Sequence, residues 1–80
     1  MSYFTYILEC SDKSLYVGCT NNLSQRLHRH NNSKSGAHYT KIRRPVVLKY
    51  SESFETKSKA LKREQTLKKL SRAEKLKFLN

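Results

Sequence analysis

Eighty residues can close around only one thin hydrophobic core, and this limits the chain more than any motif in it. A domain of this size buries only about 60–65% of the surface that its unfolded chain exposes. Residues 1–80 are therefore read as a single domain with no room for a deep internal cavity. Function is expected on an open face. Charge then narrows the partner. Lys and Arg total 17 against 6 Asp and Glu, a formal net charge of +11. Such an excess repels itself unless something anionic is bound. Nucleic acid is the first candidate and an anionic membrane surface the second.

No stretch approaches the roughly 20 apolar residues that span a bilayer. Met1 leads directly into a strand-like run, with no cleavage site behind an apolar segment, so the chain is expected to stay in the cytoplasm. Cys10 and Cys19 lack the close pairing of a zinc site and are expected to be reduced thiols near a small sheet.

Residues 3–9, rich in aromatic and β-branched types, predict a strand. Ser11-Asp12-Lys13 is a turn, and residues 14–19 complete a hairpin. Asn22 opens a helix, with Gln25 placed for a capping box, Leu23 and Leu27 on the buried face, and an end near Asn31-Asn32. Residues 33–44 are a basic, polar connection, with one short helical turn expected around Ala37–Tyr39. Pro45 opens a third strand, Val46–Tyr50, as a first strand residue that need not donate to the ladder. A helix is predicted from Thr56 to Leu70, with Ala60, Leu61 and Leu67 on one face. Ser71 and Glu74 form a second capping box before a last helix carrying Leu76 and Leu79. The order β-β-α-β-α-α implies an α+β fold, a small three-stranded antiparallel sheet flanked by helices.

Three features exceed what a small fold needs. Glu64 lies three or four residues from Ala60, Leu61 and Leu67 and so shares their face. A carboxylate there costs several kcal/mol, in order of magnitude roughly, unless it is paired or binds a metal; a rim position or a lysine partner would also account for it. Arg26 and His30 stand one turn apart, along the edge of the face marked by Leu23 and Leu27. An arginine held there can clamp a phosphate, since its fork matches the oxygens; a solvated basic helix is the plainer reading. Tyr6 and Tyr16 occupy the two hairpin strands. A two- or four-residue loop puts them on opposite faces. A three-residue loop, with Cys10 opposite Ser14, pairs Tyr6 with Gly18 and Leu8 with Tyr16, and puts both tyrosines on one face. That loop asks Lys13 to take a positive φ.

Tyr6, Tyr16-Val17-Gly18, Asn22-Leu23, Arg26 with His30, and a glutamate in a later helix form an ordered set spanning nearly the whole chain. The set resembles the GIY-YIG nuclease superfamily. Ser35-Gly36-Ala37-His38-Tyr39-Thr40, followed by Arg43-Arg44-Pro45, is similar to its stand-alone bacterial branch. The resemblance implies a metal-assisted phosphodiester hydrolase. Tyr6 would serve as, or alongside, the general base. Tyr16 would help position or activate the nucleophile and scissile phosphate, Arg26 would stabilise charge on the phosphate, and His30 matches a position where relatives carry histidine or tyrosine. Glu64 would hold one divalent metal, Mg²⁺ or Mn²⁺. Arg26 and the metal would favour the phenolate of Tyr6. Gly18 belongs to the second motif and leaves space beside Tyr6.

Lys34, Lys41, Arg43 and Arg44 are expected to contact backbone phosphates, largely independently of sequence. Cys19 stands where some relatives carry a lysine, and only the terminal Asn80 could answer to a downstream asparagine. The expected partner is nucleic acid, DNA ahead of RNA, with no membrane and with targeting either weak or supplied by another protein. Two functions follow: an endonuclease of DNA repair or turnover, or a binding module of the same fold with little or no hydrolysis. The inward carboxylate favours the enzyme; the absence of a targeting domain favours the module.

Overall fold

The computed structural model describes residues 2–32 and 43–79. The buried run Thr5-Tyr6-Ile7-Leu8 sets the architecture. A strand that is apolar on both faces has to be covered on both. β1 (Tyr3–Glu9) accordingly lies in the middle of the sheet, between β2 (Leu15–Thr20) and β3 (Val47–Phe54), antiparallel to each. α1 is Leu23–Asn32, α2 Lys57–Lys68 and α3 Arg72–Phe78.

The alternation of β1 creates two half-cores. On one face Tyr6, Leu8, Cys10 and Val46 pack with Tyr16, Leu48 and the α1 residues Leu23 and Leu27. On the other, Ile7 and Val17 pack with Leu67 of α2 and with Leu15, Tyr50, Leu70 and Leu79. α2 is pinned to the central strand by the Thr5 hydroxyl, which donates to the carbonyl of Ala60 at 2.7 Å, both residues being fully buried. Ala60 and Leu67 point inward as expected, but Leu61 is 40% exposed. It falls beside the narrow stripe that a residue and its neighbour seven positions on define.

The hairpin takes the three-residue loop. Tyr6 pairs with Gly18 and Leu8 with Tyr16. The Cys10 N–H donates to the Ser14 carbonyl, and the Lys13 N–H to the Cys10 carbonyl, both at 2.9 Å. Lys13 takes φ 73°, which costs a non-glycine residue about 1 kcal/mol. Asp12 offsets this by accepting from both the N–H and the hydroxyl of Ser14. Both cysteines are free, and the register places them on opposite faces of the sheet.

β3 runs four residues beyond the predicted strand. Ile7 pairs with Tyr50 but Leu8 with Leu48, so Lys49 is an extra, bulged residue. The bulge lets Tyr50 and Leu48 serve opposite half-cores. Past it, Ser51-Glu52-Ser53 carry little strand signal of their own and are held by pairing with β1. The three helix starts are capped as their sequences demand. Asn22 Oδ1 accepts from Gln25 N–H at 3.0 Å, Thr56 Oγ1 from Lys59 N–H at 3.2 Å, and Ser71 and Glu74 bond reciprocally. The helical turn expected at Ala37–Tyr39 lies outside the described residues.

Candidate active site

Tyr6 is 1% exposed, with its ring laid over Gly18 of the neighbouring strand. A Cβ at position 18 would stand 2.4 Å from the tyrosine Oη and 2.5 Å from its Cζ, so only glycine admits the ring. The phenol reaches across to α1, where its Oη lies 3.0 Å from Nε2 of His30. His30 is fully buried and meets both tyrosines edge-on, with ring centroids 6.0 Å from Tyr6 and 5.2 Å from Tyr16. Arg26, one turn earlier, lies near both tyrosines, and its charge acts on each. Its Nε is buried and finds no hydrogen-bond partner among the described residues. Two strands and one helix thus converge Tyr6, Tyr16, Arg26 and His30 on one face, as their sequence order suggested.

Burial holds the His30 imidazole down to about pKa 4, helped by the charges of Arg26 and Arg44. At neutral pH the ring is uncharged, with one nitrogen protonated and one able to accept. Tyr6 without a metal feels two opposed effects. The hydrogen bond and charge of Arg26 do pull its pKa down, but burial outweighs them and the net shift is upward. The resting group is therefore a neutral phenol rather than a phenolate.

These shifts carry a stability prediction. The folded pKa of His30, about 4, lies below its unfolded value of 6.5. The unfolded chain therefore takes up the proton first as pH falls. The full contribution is present above pH 6.5 and is lost toward pH 4, an amount on the order of 3 kcal/mol. Urea unfolding at pH 7, 5.5 and 4.5 should show this decline, and His30→Gln should flatten it. An equal slope in the variant would mean that other groups set it.

Glu64 sits on α2 with its side chain 13% exposed, and Oε1 is 2.9 Å from Nζ of Lys68, one turn on. Its charge bears on Tyr6 and on Cys19, which lie on opposite faces of the sheet. Among the described residues no three His, Cys, Asp or Glu side chains gather as a metal cluster.

The basic residues after α1 are engaged with the protein itself. The Arg43 guanidinium pairs with Asp12 at 3.0 Å. Arg44 donates to the carbonyls of His30 and Arg29 at the end of α1. Lys34 and Lys41 lie outside the described residues. Sequence reasoning missed the role of Asn31. Its side-chain amide mimics a peptide, donating to the Val46 carbonyl at 3.1 Å and accepting from the Val46 N–H at 2.7 Å. Asn31 and Arg44 together fix the last turn of α1, which carries His30. No local pattern announces either contact, since both depend on the chain returning to α1 fourteen or fifteen residues later.

The family model for the GIY-YIG catalytic domain matches residues 2–77. A UPF0213 protein of Syntrophus aciditrophicus is 55% identical over 76 residues, covering 95% of this chain and 87% of that one. A UPF0213 protein of Staphylococcus saprophyticus is 51% identical over 78 residues, covering 98% and 94%. Among solved structures, the solution structure of a UPF0213 protein from Bacillus halodurans matches with a TM-score of 0.60 and 39% identity, over 96% of this chain and 81% of that one. The solution structure of the protein EF2693 from E. faecalis matches with a TM-score of 0.63 and 42% identity, over 95% and 81%.

Proposed function

Because the chain belongs to the GIY-YIG catalytic-domain family, a family of nuclease-type domains acting on nucleic acid, we propose that it is an endonuclease. It hydrolyses phosphodiester bonds in DNA with one divalent metal, Mg²⁺ or Mn²⁺, and works in repair or turnover in the cytoplasm. The observation that carries this reading is the 3.0 Å contact of Tyr6 with a neutral, buried His30, under Arg26. A surface that only binds phosphates has no use for a phenol and an imidazole poised to share a proton.

The pair supplies a relay. Water entering with the substrate gives a proton to Tyr6 Oη, which passes its own to His30 Nε2. The hydroxide attacks phosphorus, one P–O bond breaks, the leaving oxygen takes a proton from solvent, and His30 returns its proton through Tyr6 to solvent. Tyr6 need not ionise beforehand, which suits its raised pKa. Arg26 stabilises charge on the phosphate oxygens. Tyr16 holds the His30 ring edge-on. Glu64 fits a hard cation, which accepts one carboxylate with waters and substrate oxygens as its other ligands. Lys68 would yield its place, since its own side chain is half-exposed and can turn to solvent. When bound, the metal supplies Lewis-acid stabilisation of phosphate charge. Lys34, Lys41, Arg43 and Arg44 are retained as proposed phosphate contacts. For Arg43 this means exchanging the half-exposed Asp12 for a phosphate.

A binding module is the second reading, favoured by the Glu64–Lys68 pairing and by Cys19 in place of a lysine. Incubation with branched, nicked, single- and double-stranded DNA and RNA, with Mg²⁺, Mn²⁺ or EDTA, separates the two. Cleavage is expected with metal, none with EDTA, and about 100-fold less with Tyr6→Phe. Binding with no cleavage of any substrate would leave the module.

A further inference from the structure

Arg26 also lines an open cleft of about 360 Å³ on the flank of the site. Arg29 of α1 and Lys57 at the start of α2 stand at its exposed rim, Tyr3 of β1 and Cys19 of β2 are half-buried in its wall, and Gln25 adds an amide. Every side chain lining it is neutral or cationic. The charge of Glu64 bears on Cys19 in its wall, though Glu64 itself does not line the cleft. A ligand seated here would be anionic, would carry a flat or polar face toward Tyr3 and Gln25, and would adjoin Arg26.

We propose that this cleft receives one unpaired nucleotide next to the scissile phosphate, its phosphate held by Arg29 and Lys57 and its base laid on Tyr3. The proposal rests on the nuclease reading for what lies beside it, because Arg26 belongs to both the cleft and the cluster around Tyr6. The cleft's volume is near the lower end for ligand sites, which run from about 300 Å³, and suits one nucleotide rather than a duplex. A base stacked and paired in a helix cannot enter such a space without leaving its partner. Aromatic stacking accepts any base, so the cleft selects an unpaired state rather than a sequence. Flaps, gaps and single strands are the substrate class this implies.

The test uses the full chain, labelled with ¹⁵N, at low salt. It is titrated with deoxyadenosine monophosphate, with deoxyribose 5-phosphate and with inorganic phosphate. Amide signals of Thr20, Asn21 and Gln25 should move. The mononucleotide should bind at least about tenfold more tightly than the sugar phosphate, the margin expected of one stacked base. Tyr3→Leu should erase that margin and Tyr3→Phe should keep it. Arg29→Gln with Lys57→Gln should weaken both phosphates alike. Equal affinity of the wild-type chain for base-bearing and base-free phosphates, or shifts confined to another surface, would overturn the proposal, and neither readout depends on hydrolysis. Cleavage without the base margin would overturn the cleft and leave the nuclease reading standing. The base margin with no cleavage of any substrate would support the cleft and count against the nuclease.

Discussion

Glu64→Gln is expected to lower hydrolysis by about three orders of magnitude or more while the fold stays intact, because the charge stabilisation it supports acts mainly in the transition state. The amide keeps the shape of the side chain. What the free protein loses is an ion pair to Lys68, whose side chain is 50% exposed. A pair of this i, i+4 kind is worth about 0.2–0.5 kcal/mol, so the melting temperature should move little. Metal-free affinity for nucleic acid should hold or rise, since one negative charge near the phosphates is gone. A purely structural Glu64 gives the opposite pattern: a small loss of stability with activity in place. Cleavage at the wild-type rate would end the assignment of Glu64 to a metal.

Gly18→Ala should be the most damaging single methyl in the molecule. The added carbon meets Tyr6 at 2.4 and 2.5 Å, and the tyrosine is closed in by the half-core that α1 covers. Overpacking of this kind costs about 1–3 kcal/mol. For a domain of this size each kcal/mol moves the melting temperature by about 4–8 °C. Activity should fall about 100-fold or more, since displacement of a reacting group by an ångström has that effect. Tyr6→Phe cannot relieve the clash, because the Cζ contact remains. Tyr6→Leu in the Gly18→Ala background should recover part of the stability and none of the activity. Full activity in Gly18→Ala would show that Tyr6 does not act from the place it occupies.

The parts of the fold that could be read in advance are those whose signals are local. Tyr3–Glu9 announces its strand through aromatic and β-branched residues. Asn22, Thr56 and Ser71 announce helix starts, because a cap bonds a backbone N–H three residues away. The hairpin register is not legible in the sequence, because it turns on Lys13 at positive φ, a conformation that its residue type does not advertise. β3 was cut short because its second half is polar and is held by a partner strand. The site divides the same way. Spacing placed Arg26 and His30 on one helix edge, and the ordered motif supplied Tyr6, Tyr16 and Glu64. The protonation of metal-free Tyr6 is not legible in the sequence, because the weight of burial against the pull of Arg26 depends on packing on all sides. Tyr3, Arg29 and Lys57 come together only once the ends of three elements meet.

The clamp of Asn31 on Val46 has a consequence for how such a domain can change. The residues entering and leaving the basic connection are fastened to each other by paired hydrogen bonds, and Arg44 fastens the exit to carbonyls in the last turn of α1. His30 is thereby set from outside the connection. Lengthening a loop whose ends are already joined is cheap, about 0.6 kcal/mol for each doubling. An insertion between Asn32 and Arg43 is therefore expected to leave the setting of His30 unchanged.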